Sequence, residues 1–160
     1  MIKIKIICVG NLKEKYFREA CLEYSKRLTP FCKFEIIEVS EHRAYKVPSQ
    51  MEVLNILEKE ADKILSKVSN NANVVSLCIE GESKSSQDLS LYIKEAMING
   101  ISEIIFIIGS SYGLSDKVKR RSNLRLSMSK MTFPHQLARV MLAEQIYRAF
   151  EILNNTKYHK

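Results

Sequence analysis

Apolar positions recur along the chain with two alternating periods. Ile2, Ile4 and Ile6 alternate with Lys3 and Lys5 and run on into Ile7–Val9, so Ile2–Val9 reads as a strand that stops at the turn pair Gly10-Asn11. Tyr16, Phe17, Ala20, Cys21, Tyr24 and Leu28 then share one stripe at helical spacing, ended by Thr29-Pro30. Lys33–Val39 predicts a second strand, and Ser40–Ser49 a polar loop. Leu54, Leu57, Ala61, Ile64, Leu65 and Val68 predict a second helix, closed by Asn70-Asn71. Val74–Ile79 reads as a short buried strand and Glu80–Ser86 as a turn. The helix after it bears Leu89, Ile93, Ala96 and Met97 and stops at Gly100.

Ile104–Ile108 is the most apolar strand, the pattern of a parallel sheet covered on both faces. Gly109–Gly113 turns into a short basic helix, and Leu124, Leu126 and Met128 alternate as a fifth strand. Pro134 takes the first-turn position of a last helix that runs to about Leu153, with Asn154-Asn155 ending it. Strand and helix alternate throughout, which predicts an α/β fold with a largely parallel sheet. The last helix is apolar along Ala138, Leu142, Ile146, Phe150 and Leu153, and Leu137, Val140, Met141 and Tyr147 widen that line. Such a surface predicts burial on two sides, against the sheet and against a partner subunit.

Composition narrows the class. The chain has 160 residues, 46% of them hydrophobic and 27% charged, which excludes a disordered chain and fits a single domain over residues 1–160. Its apolar runs fall short of the ~18 residues a membrane span needs, and the lysine-interrupted N-terminus lacks the core of a signal peptide. The expectation is a soluble cytoplasmic protein that does not engage a membrane. Cys8, Cys21, Cys32 and Cys78 are scattered among apolar neighbours with no Cys-x-x-Cys pair, so no metal and no disulfide framework are expected. Charge is more telling than its total. The formal net charge is +7, and all of it lies in residues 114–160, which hold 10 Lys and Arg against three acids. Six of those cations fall within Lys117–Lys130, where there is no acid. A footprint for a polyanion and a solvated basic helix end both fit this pattern.

Ligands of open parallel sheets bind beyond the carboxyl ends of the strands. Leu77–Gly81, Ile108–Gly113 and Met128–Phe133 are the equipped ends. Gly109-Ser110-Ser111-Tyr112-Gly113 has the Gly-x-Ser-x-Gly form of a hydrolase elbow, with Asp116 and His135 downstream. Asp116, however, falls in the very next helix, and too few strands follow the serine. The loop is neither a Walker A nor a Gly-x-Gly-x-x-Gly motif. On the last helix His135 and Arg139 lie one turn apart on one polar edge, and Glu144–Arg148 reads as a structural i,i+4 ion pair. The chain closes on Tyr158-His159-Lys160, where a frayed terminus is usual.

Three segments carry a resemblance over essentially the whole length: VGNLKEKYFREACLEYSKRL, IIFIIGSSYGL, and LSMSKMTFPHQLARVMLAEQIYRAFEILNNTKYHK. Together they resemble the ribosomal RNA large subunit methyltransferase H family of the SPOUT superfamily. The resemblance implies a parallel-sheet fold with a C-terminal trefoil knot, an exception to the usual absence of knots. It implies a homodimer that uses S-adenosyl-L-methionine to methylate N3 of a pseudouridine in large-subunit ribosomal RNA within the ribosome. Carried over by position, the cofactor site falls on Leu77, Gly109, Met128, Ser129, Lys130, Met131, Thr132 and Phe133. The catalytic neighbourhood falls on Tyr158, His159 and Lys160, with Arg139 and His135 as helpers. Relatives commonly carry Gly-Gly at the middle turn, where this chain has Gly109-Ser110. A left-handed backbone there would strain a serine.

The implied chemistry is direct transfer of a methyl group to an imide nitrogen. A base that takes the N3 proton lowers the barrier, and His159 is suited to it near neutral pH. Lys160 and Arg139 are placed to stabilise charge on a flanking carbonyl or to hold a phosphate. A ribosome-binding factor without catalysis is the alternative class. It accounts for the basic segment but leaves the three apolar strand ends without a role.

Overall fold

The computed structural model describes residues 1–44 and 46–159. Five strands and five helices alternate: β1 (Lys3–Val9), α1 (Lys15–Leu28), β2 (Lys33–Val39), α2 (Gln50–Leu65), β3 (Asn73–Ser83), α3 (Ser86–Ile98), β4 (Glu103–Ile108), α4 (Asp116–Arg121), β5 (Leu124–Ser127) and α5 (His135–Leu153). All strands are parallel, in the order β2-β1-β4-β3-β5. The fold is α/β with a parallel sheet, as the alternation predicts.

Side-chain alternation along the inner strands builds two cores. Ile4, Ile6 and Cys8 of β1 and Ile104, Phe106 and Ile108 of β4 face one way, onto Ile93 of α3 and Leu142, Ile146 and Phe150 of α5. Ile7, Val9, Ile105 and Ile107 face the other way, onto Ala61 and Ile64 of α2 and Val118 of α4. All six residues of β4 are buried, and the five after Glu103 form a continuous apolar run. Among the described residues, no helix is long and apolar enough to cross a membrane.

Several boundaries differ from the sequence reading. A capping box starts α2 at Gln50: Ser49 Oγ accepts from Glu52 N–H, and the Glu52 side chain accepts from Ser49 N–H. The helix ends at Leu65, so Val68 and the asparagine pair lie beyond it. β3 does not turn at Glu80. It bulges between Leu77 and Glu82 and rejoins β5 through Glu82↔Leu126 and Ser83↔Ser127. Gly81 lets the two backbones meet, since a Cβ there would lie 2.7 Å from the Arg125 carbonyl oxygen. β5 ends at Ser127, which leaves Met128 outside the sheet. Pro134 precedes α5 with an extended backbone (φ −54°, ψ 134°) instead of opening its first turn.

The breadth of the apolar surface on α5 has a source within the chain. α1 and α3 pack along α5 on the side of the sheet to which it belongs. Leu142, Ala143, Ile146 and Ala149 are fully enclosed, whereas Val140 and Met141 remain part-buried.

Candidate active site

The carboxyl ends of β3, β4 and β5 open into one cleft of about 650 Å³. Its walls are Leu77–Glu80 from the bulge of β3, Ile108–Leu114 after β4, and Leu126, Met128, Ser129 and Met131–Pro134 after β5. His135 and Ala138 close it from the start of α5, and Lys119 reaches it from α4. Most of the lining is aliphatic or aromatic, with the Ser111, Ser129 and Thr132 hydroxyls and loop backbone interspersed. That is the usual make-up of a small-molecule site, and the volume falls in the usual range of about 300–1,000 Å³. At the edge, Lys119 Nζ pairs with Glu80 at 2.5 Å, and this hydrogen bond holds the Glu80 carboxyl below the ordinary carboxylate range.

The turn after β4 is tightly built. Gly113 N–H donates to the Ser110 carbonyl (2.9 Å), and a Cβ on Gly109 would fall 2.2 Å from the Gly113 carbonyl oxygen, so only glycine fits at 109. The left-handed residue of the loop is Gly113 (φ +89°), not Ser110. The strain anticipated at Ser110 is therefore absent. Its hydroxyl instead donates to Glu60 Oε1 at 2.7 Å.

Of the residues assigned to cofactor binding, Leu77, Gly109, Met128, Ser129, Met131, Thr132 and Phe133 all line the cleft. Lys130 does not. It is exposed, within a turn in which Met131 N–H donates to Ser129 Oγ (3.0 Å). Ile79, Ile108, Ser111, Tyr112, Leu114, Leu126, Pro134 and Ala138 complete the walls without having been assigned. No hydrogen bond joins Ser111 to His135 or Asp116 among the described residues, so the hydrolase pattern has no geometry behind it.

The expected catalytic residues are dispersed. His135 lines the cleft and also a polar recess of about 320 Å³ beside it, formed with Gly10, Asn11, Lys13, Glu41, Arg43 and Gln136. Arg139 is not on a polar edge. It is 1% exposed; Nη2 donates to the Gly10 carbonyl at 3.0 Å, and Nη1 lies 3.2 Å from Glu38 Oε1. The end of β1 leaves that carbonyl free, and a buried guanidinium satisfies it. The nearby Cys8 thiol is pushed up to about 12 by burial, with Arg139 opposing the shift, so it stays protonated and unreactive.

Tyr158 docks on its own α5, and His159 bridges α5 and α3, away from the cleft. The Tyr158 hydroxyl donates to Glu144 (3.2 Å), its ring meets Tyr147 edge-on at 4.9 Å, and the Arg148 guanidinium lies 4.8 Å from the ring centre. His159 contacts Gln87 (2.7 Å) and Arg148 (3.4 Å). Burial, and then the Glu144 carboxylate, push the Tyr158 phenol up to about 12, so it is a hydrogen-bond donor at any ordinary pH. The Glu144–Arg148 pair expected on α5 is present (2.6 Å) and serves as the anchor of this tail. Lys160 lies outside the described residues. Leu126 and Met128 line both the cleft and a second cavity of about 500 Å³, which Glu144 and Tyr24 also line.

Much of the basic segment is already engaged. Lys117 pairs with Asp62 (2.7 Å), and Arg121 donates to the Ser69, Asn70 and Ala72 carbonyls at 3.1–3.3 Å. Arg120 and Lys130 are exposed and make no ion pair or side-chain hydrogen bond among the described residues.

The family described as "Predicted SPOUT methyltransferase" matches residues 2–159. The chain belongs to the SPOUT methyltransferase family. It is 48% identical over 159 residues to the ribosomal RNA large subunit methyltransferase H of Streptococcus uberis, covering 99% of this chain and all of that protein. The protein of the same name from Clostridium tetani is 50% identical over the same span. A solved structure titled as a probable methylase family protein from Haemophilus influenzae has a TM-score of 0.54 at 14% identity, covering 98% of this chain and 70% of that one. That likeness supports the fold. In this SPOUT chain the cleft at the ends of β3, β4 and β5 is a candidate small-molecule site.

Proposed function

We propose that this chain methylates large-subunit ribosomal RNA with S-adenosylmethionine, acting as a cytoplasmic homodimer on N3 of a pseudouridine in the assembled ribosome. The observation that carries the reading is the convergence of seven of the eight cofactor-side residues on one apolar cleft at three strand ends. The full-length likeness to proteins named ribosomal RNA large subunit methyltransferase H supports the substrate. On the same reading the C-terminal part of the chain is threaded as a trefoil knot.

The residues present suit the cofactor. Leu77, Ile79, Leu126, Met128 and Phe133 offer apolar walls for a flat base. Loop backbone and the Ser111, Ser129 and Thr132 hydroxyls offer partners for its polar ends. When bound, S-adenosylmethionine supplies a methyl group activated by a sulfonium. The protein then has to exclude water, align the acceptor nitrogen and take up one proton. His135 stands on the wall shared by the cleft and the polar recess, where a target base would lie. Arg139 is a positioning residue: by holding the Gly10 carbonyl it fixes the loop beside His135. His159 takes the N3 proton and Lys160 steadies the resulting charge, both delivered by the tail of the second copy, because each tail lies off its own cleft. Alignment supplies much of the acceleration.

The test is tritium transfer from labelled S-adenosylmethionine to ribosomes that lack the modification. Label is expected in large-subunit RNA at one pseudouridine, with none on ribosomes already modified. Ribosomes that remain unlabelled at saturating cofactor would refute the reading.

A further inference from the structure

Glu60 is an ionisable residue of α2 that neither the cleft nor the tail uses, yet it is 2% exposed. No cation pairs with it among the described residues. Its carboxylate accepts two hydrogen bonds from two different segments: the Ser110 hydroxyl on Oε1 (2.7 Å) and the His42 backbone N–H on Oε2 (3.2 Å). Ser110 is itself 7% exposed. It is the base of the turn whose next residues, Ser111 and Tyr112, line both the cleft and the polar recess. His42 sits between Glu41 and Arg43, which also line that recess. One buried carboxylate thus holds the bases of two segments that line the same recess.

We propose that Glu60 is a positioning residue that latches the Gly109–Gly113 turn to the 41–44 segment, so that filling the cleft also orders the polar recess beside it. A carboxylate removed from water is costly unless its oxygens are satisfied. Both donors must therefore stay in place together, and displacing either segment exposes the unmet need of the other. Fixing the turn around a ligand fixes Ser110, and through Glu60 it fixes the His42 amide and the Glu41 and Arg43 walls with it. Ser110 supplies the hydroxyl that completes the link; a glycine at 110 would leave Glu60 with the His42 amide alone.

The inference rests on reading the cleft as the S-adenosylmethionine site, and the test separates the two. Amide hydrogen exchange of the full chain is measured for the unmodified protein, Ser110→Ala and Glu60→Gln, with and without S-adenosylmethionine. Ser110→Ala is expected to speed exchange at residues 41–44 by about tenfold without ligand, the scale of one charge-assisted hydrogen bond, although the altered residue lies elsewhere in the chain. Glu60→Gln is expected to retain slow exchange, because its amide oxygen can accept from His42 while its NH2 donates to the Ser110 oxygen. Saturating S-adenosylmethionine should slow exchange at 41–44 in the unmodified protein and in Glu60→Gln, but not in Ser110→Ala. Unchanged exchange at 41–44 in Ser110→Ala, with or without ligand, would overturn the latch. A calorimetric titration showing that the unmodified protein binds no S-adenosylmethionine would overturn the reading of the cleft, and the ligand-free comparison would still decide the latch.

Discussion

Deleting Tyr158–Lys160 separates a structural tail from a chemical one, and the docked geometry sets the size of the effect. Thr156 stays bound to Glu151 with or without the tail, so the docked stretch is Lys157–His159, and holding it in one conformation costs about 1–2 kcal/mol for each backbone, roughly 3–6 kcal/mol in all. The edge-on contact with Tyr147 returns about 0.5–1.5 kcal/mol, and the Arg148 guanidinium on the Tyr158 ring about 0.5–1 kcal/mol. The phenol-to-carboxylate bond to Glu144 adds about 1.5–3 kcal/mol, and the two His159 contacts about 0.5–1.5 kcal/mol each. Gains and cost nearly cancel. The tail is docked with little net stability, as the proposed reach to a second copy requires.

The truncated protein is therefore expected to unfold in urea within ~1 kcal/mol of the full chain and with the same slope. Its affinity for S-adenosylmethionine should be unchanged, because every cleft-lining residue precedes the deletion. Methyl transfer to ribosomes should nearly vanish. Mixing truncated subunits with subunits carrying Leu77→Arg, which obstructs the cleft, should restore part of it if tails work across a dimer. A loss of stability above ~2 kcal/mol would make the tail a structural staple. Transfer at the normal rate would remove it from the chemistry.

Tyr158 has a raised folded-state pKa, so its contribution to tail docking is fully present below the ordinary tyrosine value near 10 and is lost as pH rises through about 12. Phenolate absorbance should lose its latest-titrating tyrosine in Tyr158→Phe, and Glu144→Gln should bring that titration only part of the way back, because burial remains its larger cause; no change in Tyr158→Phe would contradict the docked geometry. Arg120→Gln with Lys130→Gln should lower the salt dependence of ribosome binding by about 0.7–0.9 in log–log slope for each cation that meets a phosphate, while Lys117→Gln should change it less, since Asp62 already engages that lysine. An unchanged slope in the double variant would place the footprint elsewhere. Met141→Asp, on the part-buried side of α5, should shift light scattering from dimer to monomer at micromolar concentration, whereas Ile146→Ala should cost about 2–5 kcal/mol of fold stability through its cavity. A monomer in the unmodified protein would reject the dimer.

What the pattern of residues could and could not foretell follows from the range of the forces involved. Strand β4 was legible because burial on both faces makes every residue from Ile104 to Ile108 apolar, and α3 and α5 were legible because Gly100 and Asn154-Asn155 mark their ends locally. The far half of β3 was not, since Glu80-Gly81-Glu82-Ser83 is polar and reads as a turn. Its strand character comes from pairing with β5 beyond a bulge, across about forty residues of chain. Arg139 misled for a related reason. Helical periodicity assigns a cation to the solvent side, and only the free carbonyl of Gly10, far upstream in the chain, explains a guanidinium turned inwards.

The cleft itself was largely readable, because a parallel sheet brings its carboxyl ends together whatever their loops contain. Lys130 shows the limit of that rule. A run of neighbouring loop residues was assigned as a block, but a turn exposes at least one member of such a run to solvent, and here the hydrogen bond from Met131 N–H to Ser129 leaves the lysine outside. The link from Glu60 to Ser110 lies beyond sequence reading altogether. A glutamate on the edge of an amphipathic helix and a serine in a glycine-rich turn each look ordinary where they stand. Only the packing of α2 beneath the turn makes one the buried partner of the other.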